Sequence, residues 1–403
     1  MDAATQGQII RRARTRRGLS QAVLAGLIGR SESWLSQVER GKHKVNSHDV
    51  LTRLAEVLPV SVADLTGGED EAPVDRRFAG ATQIERAMLR YTSLESIIAE
   101  TGEERTMDVA RLQAEADRAY ADYQATRYAE VARRLPRLIR DVEAAARGRR
   151  GDRPVACSAR AQVYNTAAAV LKRVGRHDLA WQAADRAMSA AEWADDTLLA
   201  AVGAYRLAYV LVSRKRPAEA ADLAMGAAYA LERRMRPGTA EELSVYGGLH
   251  LAAATAAAAE YDRAAIPRFL AAAGRAADRL GGDFNHHGTA FGPTNVEMHR
   301  ISTAVAVGDA QTAIDAGEVL DPSSIPVGLI GRRVQVKLDI ARGYTQRRMD
   351  SAAVNSLLEA EAMAPQLVRH DPATFEVLTE LLRREHRPST PELRPLCQRA
   401  GVA

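Results

Sequence analysis

The sequence predicts an all-α protein: a five-helix N-terminal domain followed by a long array of helical hairpins. Three observations carry that expectation. Aromatic residues make up only 5% of the 403-residue chain while apolar residues reach 46%, so its cores are built mainly from Leu, Val and Ala. Apolar stripes of roughly 12 to 20 residues alternate with brief breaks at Gly, Pro and Asp, and strand alternation is scarce. The hexapeptide AADRAM at residues 183–188 returns as AADLAM at 220–225, a spacing of 37 residues, each time shortly after a turn.

The first domain is expected over residues 1–66. Its first helix runs over about residues 5–17, with Ile9, Ile10 and Ala13 on one side and Arg11, Arg12, Arg14, Arg16 and Arg17 elsewhere. Gly18 ends it, and Ser20 offers an N-cap to a second helix whose Val23, Leu24, Leu27 and Ile28 form the expected buried stripe. Gly29 marks a turn, Ser31 caps the third helix, and Gly41 stops it. Ser47 caps a fourth helix with Val50, Leu51, Leu54 and Leu58 inward, and a short fifth holds Val62 and Leu65. The stretch GGEDEAPVDRRFAG, residues 67–80, is almost free of apolar residues and is the expected linker. The array is assigned to 81–388 and a C-terminal tail to 389–403.

Charge separates these parts. Residues 1–66 hold ten Arg and Lys against six Asp and Glu, which accounts for the whole net charge of +4 and leaves the remainder neutral. A polyanion partner is therefore expected at the N-terminal domain. The 50 Arg against five Lys point to a high-GC bacterial genome. Cys157 and Cys397 have neither zinc-site spacing nor a disulfide framework. With no apolar leader and no run of about 18 apolar residues, a soluble cytoplasmic protein without a membrane partner is expected, nucleoid-associated when bound to DNA.

The third helix bears the most informative pattern. Placed at about 100° per residue, Ser31, Leu35 and Val38 fall together, facing the stripes of the second and fourth helices. Ser33, Ser36, Gln37 and Arg40 fall opposite, with Glu32 at their edge and Trp34 on the flank. Hydroxyls, amides and guanidinium groups are what hydrogen-bond base edges and phosphates in the major groove. Gln21 opens the second helix, where its amide and the free N–H groups can hold a phosphate. Lys42, His43 and Lys44 would track the backbone. A plain solvated face is the alternative.

The segments LSQAVLA at 19–25, SESWLSQVERGK at 31–42 and VSVADL at 60–65 resemble the Cro and phage-repressor (Xre-type) helix-turn-helix family over about residues 8–66. The resemblance implies a λ-repressor-like five-helix fold that binds double-stranded DNA. It implies that Gln21 contacts a phosphate, that Glu32, Ser33 and Gln37 stand at base-reading positions, and that Arg14 pairs with Glu39. Arg30, Ser31, Trp34, Ser36, Arg40, Lys42 and Lys44 complete the expected interface. Glu32 departs from the usual amide or cation; it can accept from a cytosine amine but repels phosphate. Such domains gain affinity in pairs on palindromic sites, so a homodimer is expected, joined through the array.

In the array the 37-residue spacing lies near the tetratricopeptide unit of about 34 residues, with a non-repetitive bundle as the alternative. No phosphate-cradling loop, nucleophile elbow or metal-ligand set occurs, so no enzyme activity, cofactor or metal is expected. Asp195-Asp196 and Glu241-Glu242 read as solvated acids near helix ends. The segment GGDFNHHGTAFGPTNVEMHR, residues 281–300, stands out because His, Asn and Phe gather there in an otherwise Ala- and Arg-rich chain. Gly292-Pro293 forces a turn, and Thr294 is the expected cap of the next helix. Either the segment is a capping loop packed by Phe284 and Phe291, or it walls a ligand pocket with His286, His287, Phe291, Asn295 and His299. TAFGPTNV, LAWQAADRAM and LSVYG resemble features of actinobacterial Xre regulators with a tetratricopeptide-like C-terminal domain. More distantly, the layout is similar to peptide-sensing quorum regulators, which implies a role for Asn165, in YNTAAAVL, in holding a ligand's amides. Two functions follow: a sensor of a small molecule or peptide, or an adaptor whose array only dimerises or recruits a protein.

Overall fold

Polar residues start the first three helices. Asp2 Oδ1 accepts the Thr5 N–H at 2.7 Å, Ser20 Oγ that of Val23 at 3.2 Å, and Ser31 Oγ that of Trp34 at 3.2 Å. In this computed structural model, which describes residues 2–58, 60, 62–66, 78–89, 108–146, 153–235, 237–321 and 324–402, the N-terminal domain has five helices. They are α1 (Ala3–Arg16), α2 (Gln21–Leu27), α3 (Glu32–Glu39), α4 (His48–Val57) and α5 (Val62–Thr66). Ser47 stands before α4 but makes no side-chain cap bond.

The domain core is Ile10, Leu24, Ile28, Leu35, Val38, Leu54, Leu58 and Leu65, all essentially solvent-free. Burying each such side chain contributes about 1.5–3 kcal/mol. Gln6 adds a polar tie: its Nε2 donates to the carbonyls of Val45 and Leu65, and its Oε1 accepts the Val45 N–H. One expectation is corrected. Val23 and Leu27 are not in the core but 49% and 56% exposed. The seven-residue α2 packs through Leu24, Ala25 and Ile28, which turns Val23 and Leu27 outward.

The expected linker, 67–80, lies outside the described residues as far as residue 77. Beyond it, α6 (Ala79–Leu89) is followed by six hairpins. These are α7 (Val109–Gln124) with α8 (Tyr128–Ala145), α9 (Arg153–Arg173) with α10 (His177–Ala194), and α11 (Thr197–Ser213) with α12 (Pro217–Glu232). The remaining three are α13 (Ala240–Glu260) with α14 (Ala265–Leu280), α15 (Pro293–Ala306) with α16 (Ala310–Val319), and α17 (Ile330–Gln346) with α18 (Asp350–Met363). Three further helices, α19 (Pro365–His370), α20 (Pro372–Arg383) and α21 (Leu393–Ala400), complete the chain, and no strand occurs among the described residues. Of the Gly and Pro positions that interrupt the apolar stripes in the sequence, Gly102, Gly148 and Pro322 fall outside the described residues.

The first helix of each hairpin touches the first helix of the next, from α7 through α9, α11, α13 and α15 to α17, and α17 returns to α7. These six helices therefore form a closed ring, with their partners outside. The two AAD hexapeptides occupy the outer helices α10 and α12, where Ala183, Ala187, Ala220 and Ala224 are fully buried and allow close helix approach. Residues 389–402 are not a tail: α21 buries Leu393, Leu396 and Cys397 in the same core as Leu135, Leu171 and Leu357, packed against α19 and α20.

The N-terminal domain rests on one rim of the ring, at the ends of inner helices. Arg12 pairs with Glu260 at 2.6 Å and Arg17 with Glu380 at 3.4 Å, while Arg16 Nε donates to the Ala306 carbonyl at 3.3 Å. Lys215 pairs with Asp64. Part of the basic excess expected to meet a polyanion is thus used to dock α1 on the array.

Candidate nucleic-acid interface and polar interior

Helix α3 is held from behind by a buried carboxylate. The Glu39 side chain is 2% exposed and receives Arg14 in a two-pronged contact, Nε to Oε1 at 2.6 Å and Nη2 to Oε2 at 2.9 Å. Gln21 Nε2 donates to the same Oε2 at 2.6 Å, and Arg14 Nη1 reaches the Leu19 carbonyl at 2.7 Å. The brace implied for Arg14 and Glu39 is present. Gln21 takes a different part from the one expected, since its amide nitrogen is engaged inside the domain; the α2 N-terminus beside it stays partly exposed.

With the array docked, Ser31, Glu32, Ser33, Gln37, Arg40, Lys42 and Lys44 are all exposed on the outer side of α3 and the turn after it. Ser36 and Trp34 are half-buried. The Trp34 ring carries the Arg30 guanidinium 5.4 Å above its centre and meets the His43 ring edge-on at 6.1 Å. Trp34 thereby fixes two cationic or polar neighbours at the border of the surface. A row of hydroxyl, amide, carboxylate and guanidinium groups is flanked by ammonium groups on a rigidly backed helix.

Residues 7–66 match the family model of the helix-turn-helix domain. No curated protein and no solved structure matches the chain. The helix-turn-helix domain thus coincides with α1–α5, and DNA is the partner this domain class binds; α2 and α3 are the pair for which it is named.

The array interior holds the second set of candidates. Segment 283–292 enters the ring between α14 and α15, with a single 3₁₀ turn at His286–Gly288. Tyr120 of α7 donates to the Gly288 carbonyl at 2.7 Å, and Arg206 of α11 donates to the carbonyls of His287 and Gly288 at 3.1 and 3.0 Å. Arg332 of α17 and Asn295 of α15 both donate to the Thr289 carbonyl. Gly288 has a left-handed backbone at φ +68°, and a Cβ there would lie 2.1 Å from the Tyr120 ring.

The expected pocket residues separate. Phe291 is fully buried against Gly247, where a Cβ would meet its ring at 1.9 Å, so it belongs to the core rather than to a ligand wall. His299 is engaged at both ring nitrogens, Nδ1–H donating to the Asn295 carbonyl and Nε2 accepting from the Tyr209 hydroxyl, each at 2.9 Å. Burial, with the Arg332 charge second, pushes it down to about 4 and holds it neutral. His286 stacks on Phe284, and His287 is left-handed at φ 49°. Neither sits in a metal-ligand cluster among the described residues. Thr294 is not the cap of α15; its N–H and hydroxyl donate instead to Asp283 at 3.1 and 2.6 Å. The acids flagged near helix ends act there as well: Asp196 caps α11 and Glu242 closes a capping box with Thr239.

Asn165 and Asn295 remain. They are 5% and 3% exposed, and the Oδ1 of each has no partner. Near Asn295 stand Tyr209, through His299, and Arg332, on the shared Thr289 carbonyl, with Lys172, Tyr205 and Arg206 against these; sequence reasoning did not single them out. One signal was available. Arg206 is the sole charged residue of α11, whose sequence TLLAAVGAYRLAYVLVS is otherwise apolar apart from Thr, Ser and two Tyr. No helix among the described residues is long and apolar enough to cross a membrane.

Proposed function

We propose that this protein is a sequence-specific DNA-binding transcriptional regulator rather than an enzyme. In this reading it binds a palindromic operator as a homodimer, and its tetratricopeptide-like array senses a small molecule or peptide. The observation that carries the reading is the exposed row Glu32, Ser33, Gln37 and Arg40 on a helix anchored from behind by Glu39, Arg14 and Gln21. It favours base reading over a plain solvated face because the backing is rigid and the docked array leaves the row open. One domain offers few contacts, and pairing two of them one DNA turn apart multiplies their affinity. The unpartnered Oδ1 atoms of the buried Asn165 and Asn295 favour sensing over a pure adaptor.

Selection from random duplexes tests the first part. Enriched sequences are expected to be inverted repeats with half-site centres about 10 bp apart. In a band-shift titration on the selected site, Gln37→Ala is expected to weaken binding by about 1–3 kcal/mol, the worth of a bidentate base contact. Unchanged affinity would remove Gln37 from the reading set, and equal binding to selected and random duplexes would sink the regulator itself. Native mass spectrometry of the purified chain, with band shifts in the presence and absence of cell extract, tests sensing: an adaptor shows neither a bound small molecule nor a response.

A further inference from the structure

We infer that the ring encloses a binding site for a small organic anion, a carboxylate- or phosphate-bearing molecule, held by Lys172, Arg206 and Arg332. This deepens the sensing proposal and rests on it for its biological meaning.

Three inner helices contribute one cation each: Lys172 from α9, Arg206 from α11 and Arg332 from α17. None of the three has a carboxylate partner among the described residues. Lys172 Nζ lies 5.6 Å above the Tyr209 ring and makes no hydrogen bond or ion pair there. Arg206 is sandwiched between the Tyr120 and Tyr205 rings, at 5.0 and 4.9 Å, and its Nε has no partner. Arg332 Nη2 donates only to neutral oxygens, the Tyr205 hydroxyl and the Thr289 carbonyl, both at 3.2 Å. The nearby acids are already used. Asp371 pairs with Arg173 at 3.2 Å, and Asp339 lies 3.7 Å from Arg342.

The three cations share one space. Lys172 stands over Tyr209, Tyr209 bonds His299, His299 bonds the Asn295 backbone, and the Asn295 amide and Arg332 meet on the Thr289 carbonyl. Arg332 then reaches Tyr205, on which Arg206 lies. Each of the three is only partly buried as a residue. Uncompensated like charges held together in a low-dielectric wall attract a counter-ion. Their mutual influence is visible at Lys172: burial first, then Arg173, push its ammonium down to about 7, Asp371 opposing and Arg332 and Arg206 adding to the shift. The unpartnered Oδ1 atoms of Asn165 and Asn295 can accept from a hydroxyl or N–H elsewhere on such a molecule and so orient it, while the cations hold its charge. An aromatic and cationic wall with a few convergent amides is the composition of a small-ligand site.

The test uses the full chain. Sodium citrate and sodium pyrophosphate are titrated separately by calorimetry and thermal melting against sodium chloride at matched ionic strength. At least one is expected to bind with a sub-millimolar constant and to raise the melting temperature, citrate marking a carboxylate site and pyrophosphate a phosphate site. Lys172→Met and Arg332→Met are each expected to weaken that binding at least tenfold, whereas the exposed Arg347→Met leaves it unchanged. Without anion, Lys172→Met is expected to melt higher than the parent, because it removes like-charge repulsion; a purely structural lysine would melt lower. No binding beyond chloride, or binding indifferent to both Lys172→Met and Arg332→Met, overturns the inference. A retained operator response to cell extract in that event leaves the sensing proposal standing. Anion binding that never alters operator affinity would instead sink sensing and keep the site.

Discussion

The Glu39 brace offers the sharpest test of how the reading helix is held. Replacing Arg14 by Met keeps most of the aliphatic stem and removes both charged bonds to Glu39 and the bond to the Leu19 carbonyl. Glu39 is 2% exposed at its side chain and stays buried as a carboxylate with Gln21 as its remaining partner. Breaking a buried pair by removing one partner costs about 3–5 kcal/mol. The surviving 2.6 Å bond from Gln21 puts the expectation at the lower end, about 3 kcal/mol. At about 1.4 kcal/mol per factor of ten, amide exchange through local opening of α1–α3 should then quicken by about two orders of magnitude. Hydrogen exchange read by mass spectrometry measures this peptide by peptide, with the inner helices of the array as an internal reference. The double variant Arg14→Met with Glu39→Met removes both charges and should recover most of the loss. A loss below about 1 kcal/mol in the single variant, or a double variant no better than the single, would refute the claim that Glu39 is an anchored buried charge.

Two further outcomes concern the ring. Gly288→Val combines a left-handed backbone with a side chain driven into the Tyr120 ring; strain of about 1–2 kcal/mol and overpacking of about 1–3 kcal/mol should lower array stability by about 2–5 kcal/mol in chemical denaturation, and an unaffected midpoint would show that segment 283–292 is not packed as described. Stability should also rise with pH. His299 and His177, both pushed down to about 4 chiefly by burial, stay neutral while the unfolded chain takes up protons below about 6.5, so stability falls from pH 6.5 toward 4. Lys172, held near 7 against 10.5 unfolded, adds a second rise between those values, because there the unfolded state binds the extra proton. Melting curves of the parent and of Lys172→Met should differ in that upper window, the variant losing the rise; identical curves would sink this assignment.

Much of the N-terminal domain was legible because its signals are local. A cap, a stripe and a stopping glycine each act within a few residues, and Ser20, Ser31, Gly18, Gly29 and Gly41 all serve as read. What failed there was rotational detail: in a seven-residue helix a shift of one position exchanges Val23 and Leu27 for Ala25. The array yielded its hairpin rhythm but not its closure, since nothing local says that α17 returns to α7 or that α21 joins the core. The interior was half legible. A cluster of His, Asn and Phe drew attention to segment 281–300, which does enter the ring, yet composition could not tell Phe291, a packing residue, from Asn295, whose buried Oδ1 lacks a partner. Lys172, Arg206 and Arg332 come from helices far apart in sequence, and their convergence exists only once the ring is closed. Charge counting misled for the same reason, because Arg12, Arg16 and Arg17 meet the array rather than solvent.

That docking bears on how a signal inside the ring would reach the helix-turn-helix domain. The same inner helices serve both places. Helix α11 carries Arg206 and ends at the turn that holds Lys215, which pairs with Asp64. Helix α15 carries Asn295 in its first turn and ends at Ala306, whose carbonyl receives Arg16. The contacts between domain and rim are few and partly exposed, and pairs of that kind contribute about 0–1 kcal/mol each. Their sum is therefore a few kcal/mol. A ligand present at 100 times its dissociation constant stabilises the state it prefers by about 2.7 kcal/mol, which is the same size. An anion that drew Lys172, Arg206 and Arg332 together would shift the helix ends on which α1 rests, against an interface weak enough to yield. A stronger, apolar interface would have locked the domain in place, and an undocked domain would have passed nothing on; the charged, partly exposed contact lies between these extremes, which under the proposed function would let a ligand shift the position of the reading helix by degrees.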